Sequence, residues 1–174
     1  MLPFMRWILI GIGIVVGVVA VLAGIGYSMP NTHVAQAEAD YRTGADSVYA
    51  VLSSVEAWPE WHPSVGSLEP VEDSAATSWR IRGPDGSMTV TVAGEEPPSR
   101  FVTLADGGMF VGRWTYHVET RNGLTRVTIT EEARIDNFVI RGLTVFRNQT
   151  RTLERVLRSL GQRLGEHVEP RALT

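Results

Sequence analysis

The sequence predicts an α+β domain, a curved antiparallel sheet wrapped over one long C-terminal helix, with a single transmembrane helix ahead of it. Three observations lead there. A short amphipathic helix runs into a Trp- and Pro-rich elbow at Ser47 to Val65, period-two alternation broken by turn signals fills most of the chain from there to Arg134, and an apolar stripe at helical spacing closes it. Helix and corner, then meander, then helix is the order of a sheet that folds one apolar face over a helix and leaves a cavity between them.

Ile8 to Gly26 is an unbroken run of 19 apolar or Gly residues. At ~1.5 Å per residue it extends about 28 Å, the thickness of a bilayer's hydrocarbon layer. Trp7 and Tyr27 stand at its ends as interfacial aromatics, Arg6 and the α-amino group precede it, and Glu38 and Asp40 are the first charges after it. This pattern predicts an anchor in the cell membrane through residues 8–26, with the N-terminus cytoplasmic and the domain outside. The competing reading is a cleaved signal peptide, for which Ala35-Gln36-Ala37 has the small-x-small form. The apolar run is longer than such a peptide needs, and cleavage there would sever Thr32 to Arg42, which alternates as a strand.

In the elbow stretch Val48, Val51, Leu52 and Val55 form one apolar stripe, with Asp46 where an N-cap is favoured. Pro59 and Pro63 then stop regular helix, so Trp58, Trp61 and His62 fall on a tight corner. A weak strand is expected over Gly66 to Asp73, and stronger ones over Thr77 to Arg82, Ser87 to Glu95 and Arg100 to Ala105. The turn Gly83-Pro84-Asp85-Gly86 joins the second and third, and Pro97-Pro98 separates the third and fourth.

The hairpin Gly112 to Arg134 is the most informative, because Asn122-Gly123 is a strong two-residue turn signal that sets the register. It pairs Val118 with Val127, Tyr116 with Ile129 and Trp114 with Glu131 on an apolar face. The other face carries Glu119 with Arg126 and Arg113 with Glu132 as exposed ion pairs. Glu131 is the anomaly, a carboxylate on the apolar face. Either it is an acid near a strand end held by a backbone N–H or an Arg, or it is a polar anchor or general acid in a cavity.

Phe138 to Phe146 reads as a first helical segment. The main helix follows from about Asn148 to Gly165, with Leu153, Val156, Leu157, Leu160 and Leu164 as its stripe. The inward-facing residues then bound a pocket between sheet and helix: Trp79, Ile81, Met88, Val90, Trp114, Tyr116, Ile129, Leu153, Val156 and Leu157, with Trp61 at its mouth and Glu131 as the ionisable group in the wall.

The order of strand, VYAVLSSVEAWPEWHPSV, meander, GRWTYHVETRNGLTRVTITEEARI and final amphipathic helix resembles the SRPBCC superfamily, which includes START-related lipid-transfer domains, the birch-pollen allergen fold and the polyketide cyclase/dehydrase group. The resemblance implies a helix-grip fold, with a sheet of about seven strands gripping the last helix around an apolar cavity. It divides the chain into an anchor at 1–30, a ligand-binding domain at 31–168 and a tail at 169–174. It also implies a small hydrophobic or lipidic ligand. Two alternatives stay open: a cyclase- or dehydratase-like enzyme using Glu131, Tyr116 and His62, and a structural or partner-binding module without a ligand.

Other chemistries have little in the sequence to carry them. Four scattered histidines (His33, His62, His117, His167) and no Cys give no metal-ligand spacing, and no cofactor motif appears. A net charge of −3 gives no general basic surface for nucleic acid.

Overall fold

The computed structural model of the protein describes residues 2–72, 76–84, 86–144 and 150–173. Two compact units divide the chain, residues 1–32 with 135–147, and residues 33–134 with 148–174.

The first unit holds helix α1 (Leu2–Ser28) and, after the strands, the short helix α3 (Phe138–Thr144). The stretch Met5–Ser28 is long and apolar enough to cross a membrane, and its most apolar 18 residues are not buried by protein. The two helices meet backbone to backbone: a Cβ on Gly26 would collide with the Phe138 carbonyl, and one on Gly142 with the Leu22 carbonyl. Asn137 caps α3, its Oδ1 accepting from the N–H groups of Val139 and Ile140 at 2.9 and 3.1 Å.

The second unit is an antiparallel meander with two helical elements inserted after its first strand. Strand β1 (Thr32–Tyr41) leads to α2 (Ala45–Ser53) and a 3-10 turn (Val55–Glu60). Then come β2 (Ser67–Pro70), β3 (Ser78–Gly83), β4 (Gly86–Glu96), β5 (Arg100–Asp106), β6 (Val111–Arg121), β7 (Leu124–Arg134), α4 (Thr150–Arg163) and β8 (Arg171–Leu173). The sheet order is β2-β3-β4-β5-β6-β7-β1-β8. It has eight strands, one more than the resemblance implies, because the terminal residues that the sequence leaves as a tail pair with β1 at Gln36, Ala37 and Glu38.

The β6–β7 register is the one that Asn122-Gly123 dictates, with Tyr116 opposite Ile129 and Trp114 opposite Glu131. Both turn residues take positive φ, 53° and 78°, as a type I′ turn requires. The expected Glu119–Arg126 ion pair does not form as an exposed bridge. Arg126 reaches sideways to β1, where its Nε donates to Asp40 Oδ1 at 2.7 Å, and Glu38 lies 3.6 Å away. The sequence register could not foresee this, because β1 arrives on the other side of β7 and brings two acids to the same outer face.

Helix α4 ends in a Schellman motif at Gly165 (φ 74°), where the N–H of Glu166 donates to the carbonyl of Gly161. The Glu166 carboxylate then accepts from the backbone N–H groups of Arg42 and Thr43, both at 2.8 Å. This bridge fixes the turn before α2, so the N-cap of α2 is Gly44 and Asp46 sits inside the first turn instead of capping it. There a carboxylate still complements the helix dipole.

The core lies between the sheet's inner face and α4. Leu153, Val156, Leu157 and Leu160 of α4 are fully buried with Phe101, Tyr116, Val127 and Ile129 of the sheet. Tyr41 ties the layers together, its hydroxyl donating to the Leu157 carbonyl at 2.8 Å.

Candidate functional site

The site grows out of the elbow. Pro59 lies inside the 3-10 turn Val55–Glu60 that follows α2, and that tighter winding folds the neighbouring side chains under the helix instead of leaving them outside. Trp58, Trp61 and His62, expected to be displayed on a tight corner, are all buried. The indole N–H of Trp58 donates to the Leu52 carbonyl at 3.0 Å, and the N–H of His62 to the Trp58 carbonyl at 2.7 Å. These two bonds lock the corner.

Around His62 the aromatic rings close in. It stacks on Trp58 with centroids 5.0 Å apart, meets Trp61 edge-on at 5.4 Å and lies 6.4 Å from Trp114. Phe101 and Tyr116 extend the cluster at 5.9 Å from each other, and Trp114 lies 6.3 Å from Tyr116. The sheet supplies these rings from the register already described, since Phe101 is opposite Tyr116 on β5–β6.

Three polar atoms in or beside this cluster are buried without a hydrogen-bond partner: Trp61 Nε1, His62 Nε2 and Tyr49 Oη. The Nδ1 of His62 accepts from the Ser64 N–H at 3.3 Å, which puts the imidazole proton on Nε2. His62 therefore presents an N–H with no acceptor. Burial lowers its pKa to about 4, so the ring is neutral near pH 7. Burial, and secondarily the charge of Glu131, raises the Tyr116 phenol far above its ordinary range. Such a hydroxyl can donate a hydrogen bond but is a poor base. Glu131 itself is half-buried opposite Trp114 and has an interaction partner.

The expected pocket residues do assemble on one side. Trp61, Trp79, Ile81, Val90, Tyr116, Ile129, Leu153, Val156 and Leu157 belong to one core cluster, with Met88 and Trp114 packed against it. Among the described residues they leave no open space around Leu153, Val156, Leu157, Ile129 and Phe101. A water-sized void would leave accessible surface on the side chains that line it, and Leu153, Val156, Leu157, Ile129 and Phe101 have none. Of these residues Trp114 and Met88 are only half-buried, and Trp114 lies beside His62 of the elbow.

Sequence reasoning missed Tyr41, Phe101 and the inward turn of His62. Tyr41 and Phe101 carried a signal, since both are large apolar groups in phase with their strands. For His62 the signal was weaker, because sequence alone does not choose between an open corner and a 3-10 turn around Pro59. Among the described residues no group of three His, Cys, Asp or Glu could hold a metal ion.

Residues 32–165 match the family model described as polyketide cyclase/dehydrase and lipid transport. Truncated norcoclaurine synthase from Thalictrum flavum superposes with a TM-score of 0.63 at 14% identity, covering 78% of this chain and 95% of that one. A START superfamily protein from Mycobacterium smegmatis gives 0.59 at 14%, covering 76% and 97%. The di-domain aromatase/cyclase StfQ of the steffimycin biosynthetic pathway gives 0.59 at 14%, covering 77% of this chain and 52% of that one. Among curated protein sequences none matches. At these identities the structural likenesses establish the helix-grip fold and nothing finer.

Proposed function

The chain belongs to the polyketide cyclase/dehydrase and lipid transport family, and from that premise we propose that it binds a small apolar or lipidic ligand carrying a hydrogen-bond acceptor, in the aromatic cluster under the elbow. The observation that carries this reading is the pair of buried N–H donors, Trp61 Nε1 and His62 Nε2, left without acceptors among Trp58, Trp114 and Tyr116. A buried donor without a partner costs about 1–3 kcal/mol, and a carbonyl or carboxylate oxygen brought in by a ligand would recover that cost. Entry would be from the elbow side, where Trp114 is only half-buried. The same domain is held at a membrane by α1, with its N-terminus on the cytoplasmic side; the apolar length of Met5–Ser28 and the flanking charges support this placement.

Native mass spectrometry of the detergent-extracted full chain, looking for a co-purified apolar molecule, tests the reading. Bound mass is expected in the parent, with occupancy about tenfold lower in His62→Phe, which keeps the ring and removes the donor. A ligand-free parent, or equal occupancy in the variant, would sink it.

The closed packing around Leu157 favours a second reading, a structural or partner-binding module whose own side chains fill the grip. The same experiment separates the two. An acid–base enzyme finds less support, because the neutral His62 and the strongly protonated Tyr116 are both poorly matched to proton transfer near pH 7.

A further inference from the structure

We infer that α3 is an interfacial membrane element, seated at the boundary of headgroups and acyl chains in the leaflet that faces the domain. The inference rests on the reading that α1 spans a bilayer. Its argument is one of depth. Helix α3 touches α1 through Gly26 and Gly142, with backbone atoms of Leu22 and Phe138 so close that neither glycine could carry a Cβ. Along α1 the face formed by Leu22, Ala23 and Gly26, with Met29 just past its end, is sheltered, whereas Val21, Ile25 and Tyr27 remain exposed.

The apolar span ends at Ser28. Leu22 and Gly26 therefore lie about 9 and 3 Å from its end, at ~1.5 Å per residue. Interfacial helices bury their apolar face about 5–10 Å into the same boundary. A helix in backbone contact with α1 at that level shares its depth.

The chemistry of α3 suits such a place. Phe138, Val139 and Ile140 give an apolar first turn, with Phe138 48% exposed although it is a large hydrophobe. Polar groups gather on the side that leads back to water. Asp136 and Asn137 precede the helix, and the Arg141 guanidinium donates to the Met29 carbonyl at 3.1 Å just past the end of the span. An Arg that lays its stem along an apolar helix and carries its head to the interface is the snorkelling arrangement. The N–H of Ile135 donates to the Asn31 carbonyl at 2.8 Å, which pins the segment's entry to the same level. In the chain α3 stands directly between β7 and the closing helix α4, so a lipid-bound α3 would couple the membrane surface to both.

The chain has no Cys, which makes single-site labelling clean. Phe138→Cys, Ile140→Cys, Val18→Cys and Glu119→Cys, each carrying an environment-sensitive NBD fluorophore, are reconstituted as full chains in phosphatidylcholine vesicles containing shallow nitroxide lipids, and Val18→Cys also in vesicles whose nitroxide sits at the bilayer centre, the set in which its quenching is read. Val18 reports mid-span, and Glu119 the exposed outer face of β6. Both α3 labels are expected to be quenched about threefold more than the Glu119 label, with blue-shifted emission. If Val18→Cys is quenched while both α3 labels behave like Glu119→Cys, α1 spans and α3 does not enter the interface, which overturns the inference alone. An unquenched Val18→Cys overturns the spanning reading and the inference with it.

Discussion

Two regions of the sheet's unit handle buried polarity in opposite ways. On the outer face Arg126, Asp40 and Glu38 are mostly shielded from solvent and Arg171 is exposed, and each has an oppositely charged partner: Arg126 bonds Asp40 at 2.7 Å, and Arg171 bonds Glu38 at 2.6 Å. Under the elbow, deeper in the protein, Trp61 and His62 hold N–H groups with no acceptor. Burial makes polar satisfaction more valuable, so the deeper region should be the better satisfied if both served stability alone. On the ligand-binding reading proposed above, the elbow gives up stability because its polar groups wait for a ligand.

The largest expected effect tests whether the interior is as closed as it looks. In an open cavity Leu157→Trp would fill space at little cost. In the packing observed here, where Leu157 has no accessible surface and its carbonyl receives the Tyr41 hydroxyl, the larger ring forces neighbours off their rotamers and costs about 1–3 kcal/mol. Urea unfolding of the full chain measures it. A stable or unchanged variant would mean that the grip opens in solution.

Next in size is the pH dependence, because the two regions titrate in separate windows. His62 has a folded-state pKa depressed to about 4 from 6.5. The unfolded chain therefore binds the extra proton between those values, and stability falls as pH drops from about 6.5 toward 4, by at most about 3 kcal/mol. The outer acids act lower. Asp40 is held below its ordinary value, chiefly by the hydrogen bond from Arg126. Burial raises Glu166, but the N–H donors of Arg42 and Thr43 and the Thr43 hydroxyl outweigh it and hold it below as well. Stability from these two is present above the unfolded carboxylate pKa and is lost as pH falls through the folded one, below about 4. Melting curves across pH should show two steps. His62→Phe should shrink the upper step, leaving the part that His33, also lowered by burial, contributes, and Asp40→Asn should blunt the lower one only; a single step shared by both variants would erase the distinction.

Much of this comparison was legible in the sequence, and the limits have physical causes. The inner face was readable because strand alternation fixes which side a residue takes, and the Asn122-Gly123 turn fixes which residues face each other. Trp114 opposite Glu131 followed from that alone. The partner of Arg126 was not legible, because β1 is far away in sequence and its place beside β7 is a matter of topology. The depth of His62 was not legible either, because Pro59 excludes an α-helix without choosing between an open turn and a 3-10 one. The eighth strand was missed for a simpler reason: three residues carry too little pattern to distinguish a strand from a tail.

The smallest expected effect sharpens the comparison from the outside. Arg82 and Glu69 form a 2.9 Å bridge on the β2–β3 edge with both side chains more than half exposed. Held in water, such a pair stabilises by less than about 1 kcal/mol, and salt at ~1 M, where the Debye length is about 3 Å, should remove even that. Arg82→Ala is therefore expected to lower the melting temperature slightly in dilute buffer and not at all in 1 M NaCl. Arg126→Ala, made beside it, strips the hydrogen-bonded partner from Asp40 and leaves it Arg171 at 3.6 Å, at a site where the arginine side chain is only 17% exposed, so its deficit should persist in salt. Thermal melts of both variants at the two salt concentrations decide the matter. If the Arg126→Ala deficit also vanished in salt, the outer strip would be an ordinary solvated surface, and its full pairing would say nothing about why the elbow is left unpaired.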